Sequence, residues 1–313
     1  MDAGLDVGRL RLLREVALRG SIAAAARELG LTPSAVSQQL AVLERAAGTA
    51  LLDRSPRGVL LTGAGQALVR RTATILEVLE EARADLDRLT GELAGKVRIG
   101  TVASAAVALV SEAAARLATD HTELELLVTV AEPARSIDAL LNGDLDVAVV
   151  DLYDGVPVRV PDYLLATELC TEPLVVVSAP GSLGEVDPAH PDGSRAAPLP
   201  PVRLSSLAGL NWVMPPLDAA CGQAVRFACR AAGFEPEVRW ETDDMLLLVR
   251  AVAAGHGITV LPRLAVADQV AEVVLQPLVE PAMNRRLLAL TRTSSQDRPI
   301  IQAVLTELVK AAG

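Results

Sequence analysis

Apolar positions recur at helical spacing along the first third of the chain and at strand spacing afterwards. Leu10, Leu13, Val16 and Ala17 share one face of a helix expected from about Asp6 to Arg19. Ser21 is a good N-cap for a second helix, Ile22 to Leu29, which Gly30 stops. Thr32 caps a third helix with Pro33 in its first turn and Gly48 at its end. Two such helices joined by Gly30-Leu31-Thr32 form a helix-turn-helix. Leu51-Leu52 and Val59-Leu60-Leu61 flank Ser55-Pro56-Arg57-Gly58, which reads as a short hairpin, or wing. Thr62 then caps a helix to about Glu92, roughly 45 Å long at 1.5 Å per residue. Leu68, Thr72, Ile75, Leu79, Ala82, Leu86, Leu89 and Leu93 step along it by fours and threes, a seam suited to a coiled-coil dimer.

After Gly95 strands and helices alternate. Strands are expected at Lys96–Ile99, Leu124–Val130 and Leu145–Val150, with helices at Ser104–Ala118 and Ala134–Leu141 between them. This β-α-β-α-β order predicts a parallel sheet. A second set has strands at Leu174–Val177, Trp212–Met214, Val238–Trp240 and Ile258–Leu261, with helices at Ala219–Ala232 and Leu246–Ala254. A strand near Leu287–Leu290 and a helix at about Pro299–Lys310 close the chain and return to the first lobe. Crossovers are expected near Tyr163 and Gln269. Pro180 to Pro201 carries six prolines and reads as an irregular loop. The fold class is α/β with an all-α-type winged helix-turn-helix head. Its divisions are 1–62 (head), 63–94 (linker and dimerisation helix) and 95–313 (two lobes). The first lobe takes about 95–162 and 270–313, and the second 163–269.

Composition changes this picture in three places. Hydrophobic residues are 51 % of the chain but aromatics only 2 %, so cores are aliphatic and base-stacking single-strand binding is disfavoured. The net charge of −10 argues against nucleic acid until its distribution is read. Met1 to Gly65 holds eight Arg and six acidic residues, a balance of +2, leaving −12 for the remainder. Cys170, Cys221 and Cys229 are too few for a disulfide framework and fit a reducing compartment. Neither a signal peptide nor a run of about 18 apolar residues is visible, so a cytoplasmic location without membrane association is expected.

Gly20-Ser21, Ala25-Ala26, Leu29, Pro33-Ser34-Ala35-Val36-Ser37-Gln38-Gln39, Leu43-Glu44, Gly48, Leu51-Leu52, Asp53-Arg54, Arg57, Thr62 and Ala64-Gly65 together resemble the DNA-binding head of LysR-type transcriptional regulators. Ile22 and Leu52 stand where that family commonly has Phe, and both remain apolar. Arg98-Ile99-Gly100, Leu145 to Val149 and Ala254-Gly255-His256-Gly257-Ile258 look like the family's effector domain. The resemblance implies a two-lobed, periplasmic-binding-protein-like (type 2) domain, a promoter or operator duplex as partner, and a homodimer or homotetramer.

In the helix-turn-helix, Ala26, Gly30 and Val36 fit close helix packing, a left-handed turn and the junction, respectively. The third helix would enter the major groove, with Ser34, Ser37, Gln38 and Gln39 able to donate and accept at base edges. Arg54 and Arg57 in the wing suit a minor groove or phosphates, and Arg27 a phosphate. In the body, the turn Thr101-Val102-Ala103-Ser104 offers N–H groups and two hydroxyls at a helix start. Met214, Leu217 and Asp218 occupy the matching place in the second lobe, where Pro215 and Pro216 donate no N–H. These donors suit a small polar or anionic metabolite.

Rival readings are weaker. A solute-binding protein lacks any use for the head. Gly63-Ala64-Gly65 opens a dinucleotide-like pattern, but Leu68 replaces its third glycine. His121, His190 and His256 are scattered, so no catalytic residue, metal ligand or cofactor is expected. A cysteine-based redox sensor of the same family, using Cys221 and Cys229, is the alternative. Eight residues on one helix separate those sulfurs by about 12 Å along the axis, too far for a disulfide without unfolding.

Overall fold

The computed structural model describes residues 4–55, 58–90, 93–156, 160–161, 164–183, 199–266 and 272–313. Arg57, both crossover points (Tyr163, Gln269) and most of the proline-rich loop therefore lie outside the described residues. The chain divides into two compact units, Met1–Leu89 and Thr90–Gly313.

In the first unit local capping chemistry sets the helices. Asp6 accepts from the Arg9 N–H (3.0 Å) at the start of α1 (Val7–Arg19). Ser21 does the same for Ala24 (3.1 Å) in α2 (Ile22–Glu28), and Thr32 for Ala35 (3.2 Å) in α3 (Pro33–Ala47). Gly30 turns between α2 and α3 at φ 64°, a conformation that a Cβ strains. Leu10, Leu13, Ala26, Val36, Leu40 and Leu43 bury at the junction of the three helices. The wing pairs β1 (Leu52–Ser55) with β2 (Gly58–Leu61). Glu44 at the end of α3 fixes its root, one carboxylate oxygen accepting the N–H groups of Leu51 and Leu52 at 2.9 and 3.1 Å. The helix α4 (Gly63–Thr90) begins tightly, since a Cβ on Gly65 would stand 2.1 Å from the Leu51 carbonyl.

The expected seam on α4 divides. Leu68 and Ile75 pack on the head's own core and Thr72 is fully buried, its hydroxyl donating to the Leu68 carbonyl at 2.8 Å. Leu79 and Leu86 are 44 % and 57 % exposed. The first turns of the seam thus serve the head, and only the later turns are open to a partner.

The second unit is built on a mixed eight-stranded sheet, among the described residues, in the order β4-β3-β5-β12-β6-β11-β7, the last being the short strand Val202–Arg203, with β10 also on β6. Its first lobe comprises β3 (Gly95–Thr101), β4 (Leu124–Val130), β5 (Val147–Tyr153) and β12 (Asn284–Arg292). One face is covered by α5 (Ala103–Ala105), a π-helical turn (Ala106–Val110), α6 (Ser111–Asp120) and α10 (Pro299–Ala312); α7 (Pro133–Leu141) covers the other. The second lobe carries β8 (Asn211–Met214) parallel to β9 (Glu237–Glu241), with α8 (Ala220–Ala231) and α9 (Met245–Ala253). It packs around fully buried Trp212.

Strand β6 (Leu164–Ser178) joins the lobes, pairing with β12 over its first part and with β10 (Thr259–Pro262) and β11 (Val274–Val279) over its second. Two sequence expectations change here. Only Leu174–Val177 reads as strand in the sequence, because the crossing half carries Thr167, Glu168, Thr171 and Glu172. The return to the first lobe also comes later than about residue 270. β11 still pairs with second-lobe strands, and Leu278 and Met283 bury in that lobe's core, so the return is made by β12.

Candidate functional site

Two sites follow from the two units. On the head, α3 presents Ser34, Gln38 and Gln39 exposed and Ser37 half-buried, while Val36, Leu40 and Leu43 face the core. Its outer face is thus a row of short hydroxyl and amide side chains at the start of a helix, the chemistry that reads major-groove base edges. Gln39 does not stand alone: its side-chain oxygen accepts from Arg9 Nε of α1 at 2.9 Å, which orients the amide. Arg9 was missed in the sequence because nothing local links it to a residue thirty positions away. Arg27 is exposed at the end of α2. Arg54 lies on β1 of the wing.

In the second unit the chain-end chemistry of several strands converges on one cavity of about 60 Å³. Val102, Ala103 and Ser104 line it at the end of β3, with Glu132, Asp151, Tyr153 and Arg285 from the rest of the first lobe. Pro215, Ala219, Cys221, Asp243 and Met245 face them from the second lobe. The carboxyl ends of parallel strands are where α/β sheets ordinarily receive ligands.

Arg285 sits at its floor, 1 % exposed, in register with Tyr153 on β5 and Glu172 on β6. Its Nε donates to Glu172 Oε1 at 2.9 Å, and Nη2 reaches the same oxygen. Its Nη1 donates to the Ser104 hydroxyl at 2.6 Å and lies 3.5 Å from Asp151 Oδ2. Glu172 Oε2 accepts the Leu264 N–H at 2.7 Å, tying the pair to the second lobe. Charges this deeply buried persist only when paired and hydrogen-bonded. Asp151 is less well served. Its Oδ1 is buried without a hydrogen-bond partner, although the Tyr153 hydroxyl lies close to the carboxylate. Burial pushes its carboxyl above the usual range against the pull of Arg285. At the rim Glu132 Oε2 accepts the Ala220 N–H, the first of α8, at 3.3 Å, a hydrogen bond from one lobe to the other. Partial desolvation raises the Glu132 pKa, the Ala220 bond opposes it, and Asp151, Asp218 and Asp243 raise it further.

The expected donors are therefore arranged differently from the sequence reading. Val102, Ala103 and Ser104 do line the cavity. Thr101 does not: it is fully buried, and its hydroxyl donates to the Val102 carbonyl at 3.2 Å. Ser104's hydroxyl oxygen accepts from Arg285 Nη1, which leaves its O–H as a donor. Met214 points into the second lobe's core, while Leu217 and Asp218 are exposed outside the cavity lining. Pro215 and Ala219, on either side of them, take the lining positions, because β8 ends with Met214 inward and α8 begins only at Ala220. Arg285, Asp151 and Glu132 went unnoticed in the sequence. One signal was present: Asp151 directly follows the apolar run Val147–Val150, at a parallel strand's carboxyl end.

Both halves of this description find counterparts. Residues 7–66 match the model of the bacterial regulatory helix-turn-helix protein, lysR family, and residues 90–313 match that of the LysR substrate binding domain. The chain belongs to the LysR family of transcriptional regulators. It is 31 % identical over 288 residues to the small neutral protease regulatory protein of Streptomyces coelicolor, covering 90 % of this chain and 85 % of that one. It is 30 % identical over 264 residues to the nitrogen assimilation regulatory protein nac of Klebsiella aerogenes, covering 83 % and 79 %. A full-length OxyR variant from Pseudomonas aeruginosa shares the fold with a TM-score of 0.67 at 20 % identity, covering 97 % of this chain and 94 % of that one. Full-length BenM shares it with a TM-score of 0.54 at 20 % identity, covering 97 % and 96 %.

The likeness to OxyR at 20 % identity is one of fold and assigns the cysteines no redox role. Cys221 and Cys229 are both buried on α8, and burial first of all pushes each thiol up to about 12. The thiolate is the reactive form, so neither is prepared for oxidation at neutral pH. Among the described residues no cluster of His, Cys, Asp and Glu could hold a metal ion, and no helix is long and apolar enough to cross a membrane.

Proposed function

We propose that this LysR-type regulator reads an operator in cytoplasmic DNA through α3 and answers to a small molecule held in the cavity between its lobes. The observation that carries the reading is the outward row Ser34, Ser37, Gln38 and Gln39 on a helix whose inner face is locked into the head. Gln38 and Gln39 contact base edges, Ser34 and Ser37 bases or phosphates, and Arg27, Arg54 and Arg57 the backbone or minor groove. One relative by fold, CbnR, has been solved in complex with its target DNA, which supports the same use of the head here. The cavity-lining group Val102, Ala103 and Ser104, with Arg285, Asp151 and Glu132, is the effector site, and Thr101 supports it from beneath. A ligand touching both lobes favours their closed arrangement, and that preference is the switch. The later turns of α4, where Leu79 and Leu86 are exposed, pair two copies into a dimer, and dimers assemble into a tetramer. The domain divisions we adopt are 1–62, 63–94 and 95–313. The regulator carries out no catalysis of its own.

The test is a gel-shift titration on promoter fragments retained by the full-length chain from sheared genomic DNA. Gln38→Ala should lose affinity for the retained fragment by about 1–3 kcal/mol and bind random DNA unchanged. Equal losses on both would remove α3 as the reading helix.

A further inference from the structure

The charge inside the cavity has a consequence for what can enter it. Among the described residues three carboxylates line it, Glu132, Asp151 and Asp243, and Arg285 is the only cationic side chain. That guanidinium is already engaged by Glu172, Ser104 and Asp151. The first N–H of α8 is taken by Glu132. An entering anion would meet three like charges and, among the described lining residues, no uncommitted cation. The buried Asp151 Oδ1, in contrast, has no hydrogen-bond partner, and a lone acceptor in so dry a place calls for a donor.

We propose that the cavity binds the primary ammonium group of a small organic amine, with Asp151 and Glu132 as its counter-ions and Asp243 at the mouth. This rests on reading the cavity as the effector site and names the ligand's chemistry. An ammonium carries three donors, and Asp151 and Glu132 would each accept one. A bare metal ion does not fit, because the described acidic residues do not converge closely enough to coordinate one. The remaining walls, Val102, Pro215, Ala219 and Met245, suit a short alkyl chain. At about 60 Å³ the space holds roughly four waters' worth of ligand, so the ammonium end and one or two carbons lie inside. The raised pKa of Glu132, which Asp151, Asp218 and Asp243 each push upward after burial, reports the same negative potential that would favour the cation.

The experiment measures thermal unfolding of the full-length chain with n-propylammonium, propionate or tetramethylammonium, at matched ionic strength. Propylammonium should raise the midpoint saturably, and the other two should leave it unmoved, since tetramethylammonium has charge but no donors. Asp151→Asn should weaken the propylammonium response by about tenfold or more, because a charge-assisted pair becomes a neutral one. Asp243→Asn, at an exposed position that leaves the fold intact, should weaken it less and keeps the test decisive if the Asp151 variant does not fold. A response to propionate alone overturns the amine and leaves the effector reading standing. A full propylammonium response in both variants, or an equal response to tetramethylammonium, overturns the site as drawn. If neither propylammonium nor propionate acts, the amine is wrong. The effector reading fails only if a wider set of small carboxylates, sugars and amines also leaves the midpoint unmoved.

Discussion

Helix α3 and the cavity of the second unit both gather polar side chains, but they leave them in opposite states. On α3, Ser34 and Gln38 are exposed, and among the described residues Gln39 alone of the row has a protein partner, Arg9. In the cavity, Arg285, Glu172 and Ser104 are buried and spend their hydrogen bonds on one another. A surface built to read a long polymer keeps donors and acceptors free for bases, and water fills them until DNA arrives. A buried pocket must satisfy its charges beforehand, so what it leaves unsatisfied, Asp151 Oδ1, defines what it accepts.

That contrast can be broken first at Arg285. Arg285→Met strands Glu172 and Asp151 as buried, uncompensated carboxylates and should cost the second unit about 3–5 kcal/mol. Unfolding followed by hydrogen exchange should show the loss in β5, β6 and β12 and leave the head's protection unchanged. Equal losses in the two units would mean that the cavity network does not stand apart. The head's counterpart is Glu44→Ala, which orphans the N–H groups of Leu51 and Leu52 at the root of the wing. A cost of about 1–3 kcal/mol is expected, confined to the first unit, with operator affinity falling alongside it.

A pH titration sharpens the comparison further. The carboxyls of Asp151 and Glu132 are raised in the folded chain, so the folded state holds their protons more tightly than the unfolded state does. Their contribution is complete below the ordinary carboxylate pKa and is lost as pH rises through the raised values. The second unit of Asp151→Asn should accordingly lose less stability than the wild type over that window. The head serves as the internal reference. A variant that tracks the wild type throughout would place the titration elsewhere.

The smallest effect concerns the thiols. Cys221 and Cys229, held up to about 12 and buried, should react with iodoacetamide in the native chain far more slowly than in the unfolded one. Peroxide at neutral pH should change neither thiol titre nor DNA binding. Rapid native labelling of either residue would reopen the redox alternative.

The same contrast explains what was legible in the sequence. Head helices are set by neighbours a few residues apart: Asp6, Ser21 and Thr32 as caps, Gly30 at the turn and Gly48 at the stop. A sequence displays such relations directly. Arg285 meets Glu172 across 113 positions and Ser104 across 181, through strand pairings that no local pattern announces. β11 was hidden because Gln276-Pro277 interrupts its apolar run, and β6 because its crossing half is polar. The turn at Val102 to Ser104 was found from strand-to-helix logic alone. The partners of the Thr101 and Ser104 hydroxyls were not, because one is a backbone carbonyl and the other lies 181 positions away.

Recognition of a particular DNA sequence through α3 is what this protein's function turns on. Fluorescence anisotropy on the retained promoter fragment and on a scrambled duplex of equal length, at two salt concentrations, tests it most directly. A specificity ratio of about 10³ or more is expected. Gln38→Ala should reduce that ratio at unchanged salt slope, whereas Arg54→Ala should weaken both duplexes alike and flatten the slope. Wild-type affinities that match on the two duplexes at both salt concentrations would contradict it.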